Sequence, residues 1–167
     1  MDLSKYIGKK IQSIKIAMIA DNYLEYVEGK TWLSDVGIEF IFEDDTLASV
    51  FYDENTDSFG LYERTLDDHL DGVDHYLIDL DNNEFIESLS EKTIAKFEVK
   101  NQEIATHDYK GEVIESISLP VEYLIEFDDE TKIQVASVTV KLRAEESEIA
   151  NIYYNPEGNI WIALEEA

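Results

Sequence analysis

Residues 37–52 read Gly-Ile-Glu-Phe-Ile-Phe-Glu-Asp-Asp-Thr-Leu-Ala-Ser-Val-Phe-Tyr, and they decide the fold class. Acidic and apolar side chains alternate within Gly37–Phe42, which is the period of a strand with one buried face. The polar segment Glu43–Thr46 favours a turn, and Leu47–Tyr52 continues as a second strand-like run. The stretch therefore predicts a β-hairpin.

Runs of the same kind lie on both sides of this hairpin. The other predicted strands are Ile11–Ile19, Phe59–Tyr62, Val73–Leu80, Thr93–Val99, Val113–Leu119, Val121–Phe127, Ile133–Leu142, Ile149–Tyr154 and Asn159–Leu164. Asn83–Glu91 instead predicts a short helix with Phe85, Ile86 and Leu89 facing inward. Pro120 cannot donate to a strand ladder, so it predicts a break, a bend or a sheet edge. The expected fold is mainly β (α+β), with antiparallel sheets and one or two short helices.

Three short blocks recur in the same order along the chain. Gly8–Ile14 resembles Gly111–Ile117, and Phe42–Thr46 resembles Phe127–Thr131. The third block contains the turns Asp53–Ser58 and Asn155–Gly158. A single domain over 1–167 accommodates this pattern in two ways. It is either a chance likeness of strands and acidic turns, or an internal duplication of 8–62 and 111–164 joined by 63–110.

The charge of the chain limits its macromolecular partners. Its 167 residues include 38 Asp and Glu against 13 Lys and Arg, for a net charge of −25. This charge repels nucleic acid and anionic membranes and attracts basic proteins. The chain has no Cys, which suits a reducing cytoplasm. Because we see no signal peptide or long apolar run, we expect a cytoplasmic location.

Motifs that would support catalysis or cofactor binding are missing from the sequence. It lacks a P-loop, a dinucleotide-binding glycine pattern, a serine-hydrolase elbow and a zinc-protease helix. Asp53 opens a calcium-loop spacing, but Ser58 and Arg64 occupy the places of its required Gly and Glu. His69 and His75 are six residues apart and are interpreted as a surface cluster. We therefore expect a protein that is not an enzyme, with no cofactor, no metal and no catalytic residue.

Aromatic residues set among carboxylates are the features most suggestive of binding. Carboxylates steer a cationic partner and Tyr rings anchor it. The residues expected in the core are Phe40, Phe42, Phe127 and Trp161. The tyrosines expected to be exposed are Tyr52, Tyr62 and Tyr154. The predicted partner-binding residues are Asp44, Asp45, Tyr52, Asp53, Glu54, Tyr62, Asp67, Asp68, Asp71, Asp74, Asp128, Asp129 and Tyr154.

In general character the chain resembles bacterial immunity proteins of contact-dependent and other polymorphic toxin systems. The resemblance rests on the small, acidic, Cys-free composition, the stretch Ile38–Asp45 and the stretch Asn155–Trp161. It implies a cytoplasmic, non-catalytic protein that neutralises a cognate toxin, often a cationic nuclease. It carries over no site residue. A DNA-mimic inhibitor and a small-ligand-binding or structural β-domain remain alternatives, and the sequence does not determine the oligomeric state.

Overall fold

A computed structural model describes residues 2–19, 25–26, 31–78, 84–142, 149–155 and 158–165. Within these residues the chain is mainly β, with two antiparallel sheets and two short α-helices. The strands are β1 (Ile11–Ile19), β2 (Glu25–Tyr26), β3 (Thr31–Ser34), β4 (Gly37–Phe42), β5 (Leu47–Asp53), β6 (Ser58–Tyr62), β7 (His75–Ile78), β8 (Ile94–His107), β9 (Val113–Phe127), β10 (Lys132–Leu142), β11 (Ile149–Tyr154) and β12 (Asn159–Glu165). The helices are α1 (Leu66–His69) and α2 (Glu84–Leu89), and a 3₁₀ turn covers Leu3–Tyr6.

The strands form one five-stranded and one larger sheet. The first sheet has the order β6-β5-β4-β1-β7, and the second has the order β2-β3-β12-β10-β9-β8, with β11 paired to β10. The hairpin predicted from residues 37–52 is confirmed as β4 and β5, with Gly37 opposite Phe51 and Phe40 opposite Ala48. The expected β-rich fold class is therefore correct.

The two sheets pack their apolar faces against each other to form the main core. Because side chains alternate along a strand, Ile38, Phe40 and Phe42 of β4 point inward together and are at most 1% exposed. Ile125 and Phe127 of β9 meet them from the second sheet. Burying each such side chain contributes about 2 kcal/mol. Trp161 was also expected in this core, but it is only half-buried.

A smaller core covers the outer face of the first sheet. Leu66 and Leu70 lie four residues apart around α1, and both pack onto Phe51 and Ala17. This helix was not predicted, because four residues are too few to show a helical period. Its position matters because it attaches the segment of residues 63–74 to the sheet.

The hairpin of β8 and β9 extends beyond the second sheet. Among the described residues, β9 pairs with β10 from Glu122 to Glu126, and between Val113 and Pro120 its pairing is with β8 alone. Pro120 lies just past the last β10 contact, where its missing N–H removes a donor from that side. The two predicted strands on either side of Pro120 are therefore one strand, and β8 continues eight residues past its predicted end at Val99.

The remaining differences fall at short or apolar elements. β2 and β3 were not predicted, and β7 begins at His75, inside the predicted run of residues 73–80. The helix predicted over 83–91 is confirmed as α2, with Leu89 buried. The side chains of Phe85 and Ile86 lie outside the described residues, as do Pro156 and Glu157 of the last turn.

Candidate functional site

One strongly acidic exposed surface in the described part of the chain is the acidic loop, defined here as residues 65–74. Thr65 begins α1 by accepting a hydrogen bond from the Asp68 N–H at 3.0 Å. Because Leu66 and Leu70 face the sheet, the acidic side chains between and after them face solvent. The loop exposes Asp67, Asp68, Asp71 and Asp74. Four carboxylates in eight residues produce a concentrated negative field.

A buried carboxylate holds the acidic loop against the sheet. Glu39 of β4 is 1% exposed, and its Oε2 accepts a hydrogen bond from the Leu66 N–H at 2.8 Å. The Lys15 ammonium lies 3.8 Å from the other carboxylate oxygen. Glu39 therefore satisfies a backbone donor at the start of α1, and Lys15 compensates part of its charge.

A polar cluster lies between the acidic loop and β5. The His69 ring stacks on Phe51 with centroids 4.0 Å apart, and its Nδ1 is 3.0 Å from Nη2 of Arg64. A guanidinium can only donate, so Nδ1 accepts this hydrogen bond. The other partner of Arg64 is Asp53, at 3.5 Å. These contacts join the acidic loop to β5, although Nε of Arg64 is buried without a hydrogen-bond partner among the described residues.

The titration of this cluster follows from its contacts. Burial lowers the pKa of His69, and the Arg64 charge lowers it further. Burial alone would raise the pKa of Asp53, but hydrogen bonds from Asn55 and the charge of Arg64 reverse that effect and lower it. At neutral pH we therefore expect a neutral imidazole beside an ionised Asp53.

His75, on the far side of the loop, titrates in the opposite direction. Its Nδ1 is 2.7 Å from the Val73 carbonyl oxygen, and its Nε2 is 2.9 Å from Oδ1 of Asp67. The bond to Val73 and the bond to Asp67 both raise the pKa of His75. The two histidines that the sequence grouped together thus occupy different environments.

The two acidic turns, defined here as residues 43–46 between β4 and β5 and residues 128–131 between β9 and β10, lie at one end of the two packed sheets. Each turn is partly neutralised by a lysine. Asp44 binds the Lys9 ammonium, and Asp129 binds the Lys92 ammonium. These bonds, followed by those from Thr46 and Thr131, lower the pKa of each carboxyl to about 2. The adjacent carboxylates Asp45 and Asp128 are exposed.

The three tyrosines expected to be exposed differ from one another. Tyr52 is half-buried, packs against the main core and donates a hydrogen bond to Asp57. Tyr62 is half-buried and stacks on Phe51 with centroids 4.4 Å apart. Tyr154 is 38% exposed and lies near Lys100 and Glu122. The expected exposure is therefore wrong for Tyr52 and Tyr62, because both rings cover apolar neighbours.

The structure divides the predicted site residues among separate places. Four of them, Asp67, Asp68, Asp71 and Asp74, lie in the acidic loop. Asp53 and Tyr62 lie on β5 and β6, where they contact Arg64 and Phe51. Asp53 is only 5% exposed, so its carboxylate faces Asn55 and Arg64 and not solvent. Glu54 is exposed on the β5–β6 turn, and Tyr154 belongs to the second sheet. A single continuous surface of all thirteen residues does not form.

Apart from Tyr154, the exposed apolar residues of the second sheet were not predicted from the sequence. Among the described residues, eight of the ten large hydrophobic side chains that are exposed lie on β8, β9, their connecting turn or β11. They are Val99, Tyr109, Val113, Ile114, Ile117, Ile152, Tyr153 and Tyr154. The apolar run that begins at Val113 was the available signal in the sequence. It has the pattern of an ordinary buried strand, and its exposure becomes apparent only when its pairing with other strands is known.

An open groove between the 3₁₀ turn and the β4–β5 turn offers little to a small ligand. Its volume is about 430 Å³, and Tyr6 and Leu47 form its apolar part. Its two lysines already have carboxylate partners, since Lys5 binds Glu63 and Lys9 binds Asp44. The groove thus presents no free cation to an anionic ligand among the residues described.

The described residues contain neither a cluster of metal ligands nor a membrane-spanning helix. No group of three or more His, Asp or Glu among the described residues is arranged to hold a metal ion. In the same part of the chain, no helix combines the length and apolarity needed to cross a membrane. No protein-family model, curated protein or solved structure matches the chain significantly.

Proposed function

We propose that this protein is a non-enzymatic acidic binding protein that neutralises a basic protein partner. The most concrete form of the proposal is a toxin-immunity protein acting in the cytoplasm. The acidic loop is the part that meets the partner first, and the exposed carboxylates of the two acidic turns add to its field.

The observation that carries this proposal is the construction of the acidic loop. Four carboxylates are exposed, and among the described residues only Asp67 is paired with a basic side chain, that of His75. Like charges so close together cost stability, yet the loop is held firmly by Glu39, Leu66 and Leu70. A fixed array of uncompensated carboxylates is a suitable docking surface for Lys and Arg side chains.

The exposed carboxylates contribute more to the rate of association than to the affinity. Exposed pairs add little affinity, about 0.2–1 kcal/mol each, because water and salt screen them. A concentrated field instead raises the association rate, by roughly 10- to 1000-fold at low salt. Fast capture suits an inhibitor that must bind its target before damage occurs.

Affinity capture tests the proposal. The chain is immobilised and exposed to lysate of its native cell at low salt, and bound proteins are eluted with a salt gradient and identified. We expect one basic protein at a fixed stoichiometry. Adding the chain to that purified protein should then abolish its activity at equimolar concentration. A heterogeneous set of weakly held basic proteins would contradict the proposal.

A matched pair of variants shows whether the acidic loop is responsible. The test variant is Asp68→Asn, Asp71→Asn and Asp74→Asn. The control variant removes the same charge elsewhere, through Glu87→Gln, Glu112→Gln and Glu115→Gln, all at exposed positions outside the predicted partner-binding residues. We expect the test variant to associate about tenfold more slowly than the control. Equal rates would show that net charge alone attracts the partner.

A further inference from the structure

The arm, defined here as residues 100–120 of the β8–β9 hairpin, lacks the support that strands ordinarily need. Within it, β8 and β9 pair only with each other among the described residues. Most of its side chains are exposed on both faces. A two-stranded ribbon alone in water is marginally stable, because it buries too little apolar surface. The arm therefore needs a covering partner.

Apolar side chains on the arm indicate that this covering surface is a protein. Val113 is 59% exposed and Ile114 is 67% exposed, close to the end of the arm. Further along, Ile104 lies directly opposite Ile117, so the two share one face of the ribbon. Several exposed apolar side chains on one short ribbon are typical of an interaction site.

The edge of β8 that faces away from β9 is open along most of its length. At its start, Ile94 exchanges backbone hydrogen bonds with Gly8 and Lys9. Beyond Ile94, no other strand in the described part of the chain pairs with this edge. Unpaired N–H and C=O groups along an edge strand are a template for another strand.

The charge of β8 favours a second copy of this chain at that edge. The chain carries −25 overall, but β8 has two lysines, Lys96 and Lys100, against two glutamates, Glu98 and Glu103. β8 therefore has no net charge, and two copies meet there with little local repulsion. Over the rest of the surface, screening beyond about 8 Å limits the repulsion.

The order of these charges and the open length of the edge select one register. In an antiparallel pair related by a twofold axis, a residue at the axis lies opposite itself. An axis at Glu98 or at Lys100 would place like charges directly opposite each other, which destabilises a sheet. An axis at Phe97 would place Glu98 opposite Lys96 of the second copy, but it would leave fewer residues to pair, because the edge at Ile94 already bonds Gly8 and Lys9. An axis at Val99 places Glu98 opposite Lys100 of the second copy, twice, and keeps the pairing on the open part of the edge. Val99 itself is 42% exposed and would meet its own counterpart.

We propose that two copies of this chain pair antiparallel through the open edge of β8, with the twofold axis at Val99. The second sheets of the two copies then form one continuous sheet. Because the strands run in opposite directions, each arm points toward the body of the other copy, where Val113, Ile114 and Ile117 can be covered. The interface belongs to the second sheet and leaves the acidic loop accessible, so this proposal is independent of the proposed function.

Two charge reversals and their mixture test the register. Glu98→Lys alone places two ammonium groups opposite each other across the interface, and Lys100→Glu alone places two carboxylates opposite each other. Each variant should dimerise about tenfold or more weakly than the wild type. Mixing the two variants should favour a heterodimer, because one chain then presents two ammonium groups to the two carboxylates of the other. Both reversed side chains are more than half exposed, so we expect each variant to fold.

The mixture also removes the main ambiguity of such variants. Glu98 is 2.7 Å from Lys96, and Lys100 is 3.1 Å from the Tyr154 hydroxyl within one chain. Losing these contacts affects each variant equally, alone or mixed, so restoration by mixing reports only on contacts between chains. Glu54→Lys, on the β5–β6 turn, and Lys132→Glu, on β10, are charge-matched controls outside β8 and the arm, and they should leave the wild-type dimer unchanged.

Sedimentation velocity and light scattering give the mass from micromolar to sub-millimolar concentration. We expect twice the mass of one chain for the wild type and for the mixture, and a shift toward one chain for each reversal alone. A wild-type monomer over the whole range would overturn the proposal. A dimer that tolerates both reversals, or a mixture that stays monomeric, would equally overturn it. None of these results would affect the capture of a basic partner.

Discussion

Lys9 and Lys92 make the same set of contacts at two separate hairpin turns. Lys9 binds Asp44 and lies 2.8 Å from Oγ1 of Thr46, while Lys92 binds Asp129 and lies 2.7 Å from Oγ1 of Thr131. Each ammonium is also about 6 Å from the centre of a buried Phe ring, that of Phe42 or Phe127. Both turns place their third acidic residue at positive φ, 61° and 66°. The two lysines therefore hold equivalent turns, one in each sheet.

These contacts predict a specific acid sensitivity. The pKa of Asp44 and that of Asp129 are each lowered from 3.8 to about 2. Their stabilising effect is complete above pH 3.8 and is lost as the pH falls through about 2, because the unfolded chain takes up the protons first. The free energy of unfolding should therefore fall with decreasing pH across this window.

Removing the two ammonium groups tests the assignment. In the double variant Lys9→Met and Lys92→Met, this part of the pH dependence should become shallower, as measured by urea denaturation between pH 4.5 and 2. Lys110→Met, in the exposed β8–β9 turn, is the matched control. An unchanged slope in the double variant would show that the lysines do not set these pKa values.

Gly37 and Gly158 occupy positions where a side chain cannot fit. A Cβ at Gly37 would lie 2.3 Å from the Val50 carbonyl oxygen, and one at Gly158 would lie 2.2 Å from that of Val138. Because backbone atoms must move, each Gly→Ala change should cost about 2 kcal/mol or more. Gly72→Ala meets open space but has a φ of +80°, so it should cost about 1 kcal/mol. Chemical denaturation of the three variants should give this ranking.

Glu39 predicts a difference between removing a charge and removing an acceptor. Glu39→Ala leaves the buried N–H of Leu66 without its partner, which costs about 1–3 kcal/mol. Glu39→Gln keeps an amide oxygen for that N–H and should cost less. Hydrogen exchange of the acidic loop separates the two effects, since only Glu39→Ala should accelerate it strongly. If both variants accelerated hydrogen exchange of the acidic loop equally, the charge pair of Glu39 with Lys15 would be what holds the loop.

The fold class could be predicted because alternation is a local signal. Ile38, Phe40 and Phe42 point to one face whatever the rest of the chain does, and the acidic turn after them is equally local. The arm could not be predicted, because Val113–Ile117 looks the same whether or not a third strand covers it. The pairing of β9 with β10 stops at Glu122. This end point shows that, in the described part of the chain, Val113–Ile117 has no third strand beside it.

The candidate site shows the same division between local and non-local information. The exposure of Asp68, Asp71 and Asp74 follows from their number and spacing alone. The burial of Asp53 and the stacking of Tyr62 depend on Phe51 and Arg64, whose positions are set by the sheet and α1. The internal duplication stays a prediction. The matched turns at Phe42 and Phe127 fit it, and so do Gly8 and Gly111, which precede β1 and β9 and share a φ of 82°.

His69 and His75 should titrate on opposite sides of the ordinary histidine pKa of 6.5. Burial and then Arg64 lower the pKa of His69, whereas the bonds to Val73 and Asp67 raise that of His75. His75 therefore stabilises the fold fully below pH 6.5, and this contribution is lost as the pH rises through its folded pKa. The contribution of His69 to stability has the opposite pH dependence, because its neutral form is favoured and the contribution is lost as the pH falls.

NMR titration of the imidazole protons measures both pKa values directly. Asp67→Asn should lower the pKa of His75 and leave His69 unchanged, while Asp71→Asn, in the same loop, should shift neither by as much. If His75 titrates below His69, the hydrogen bonds assigned to Asp67 and Val73 are absent in solution.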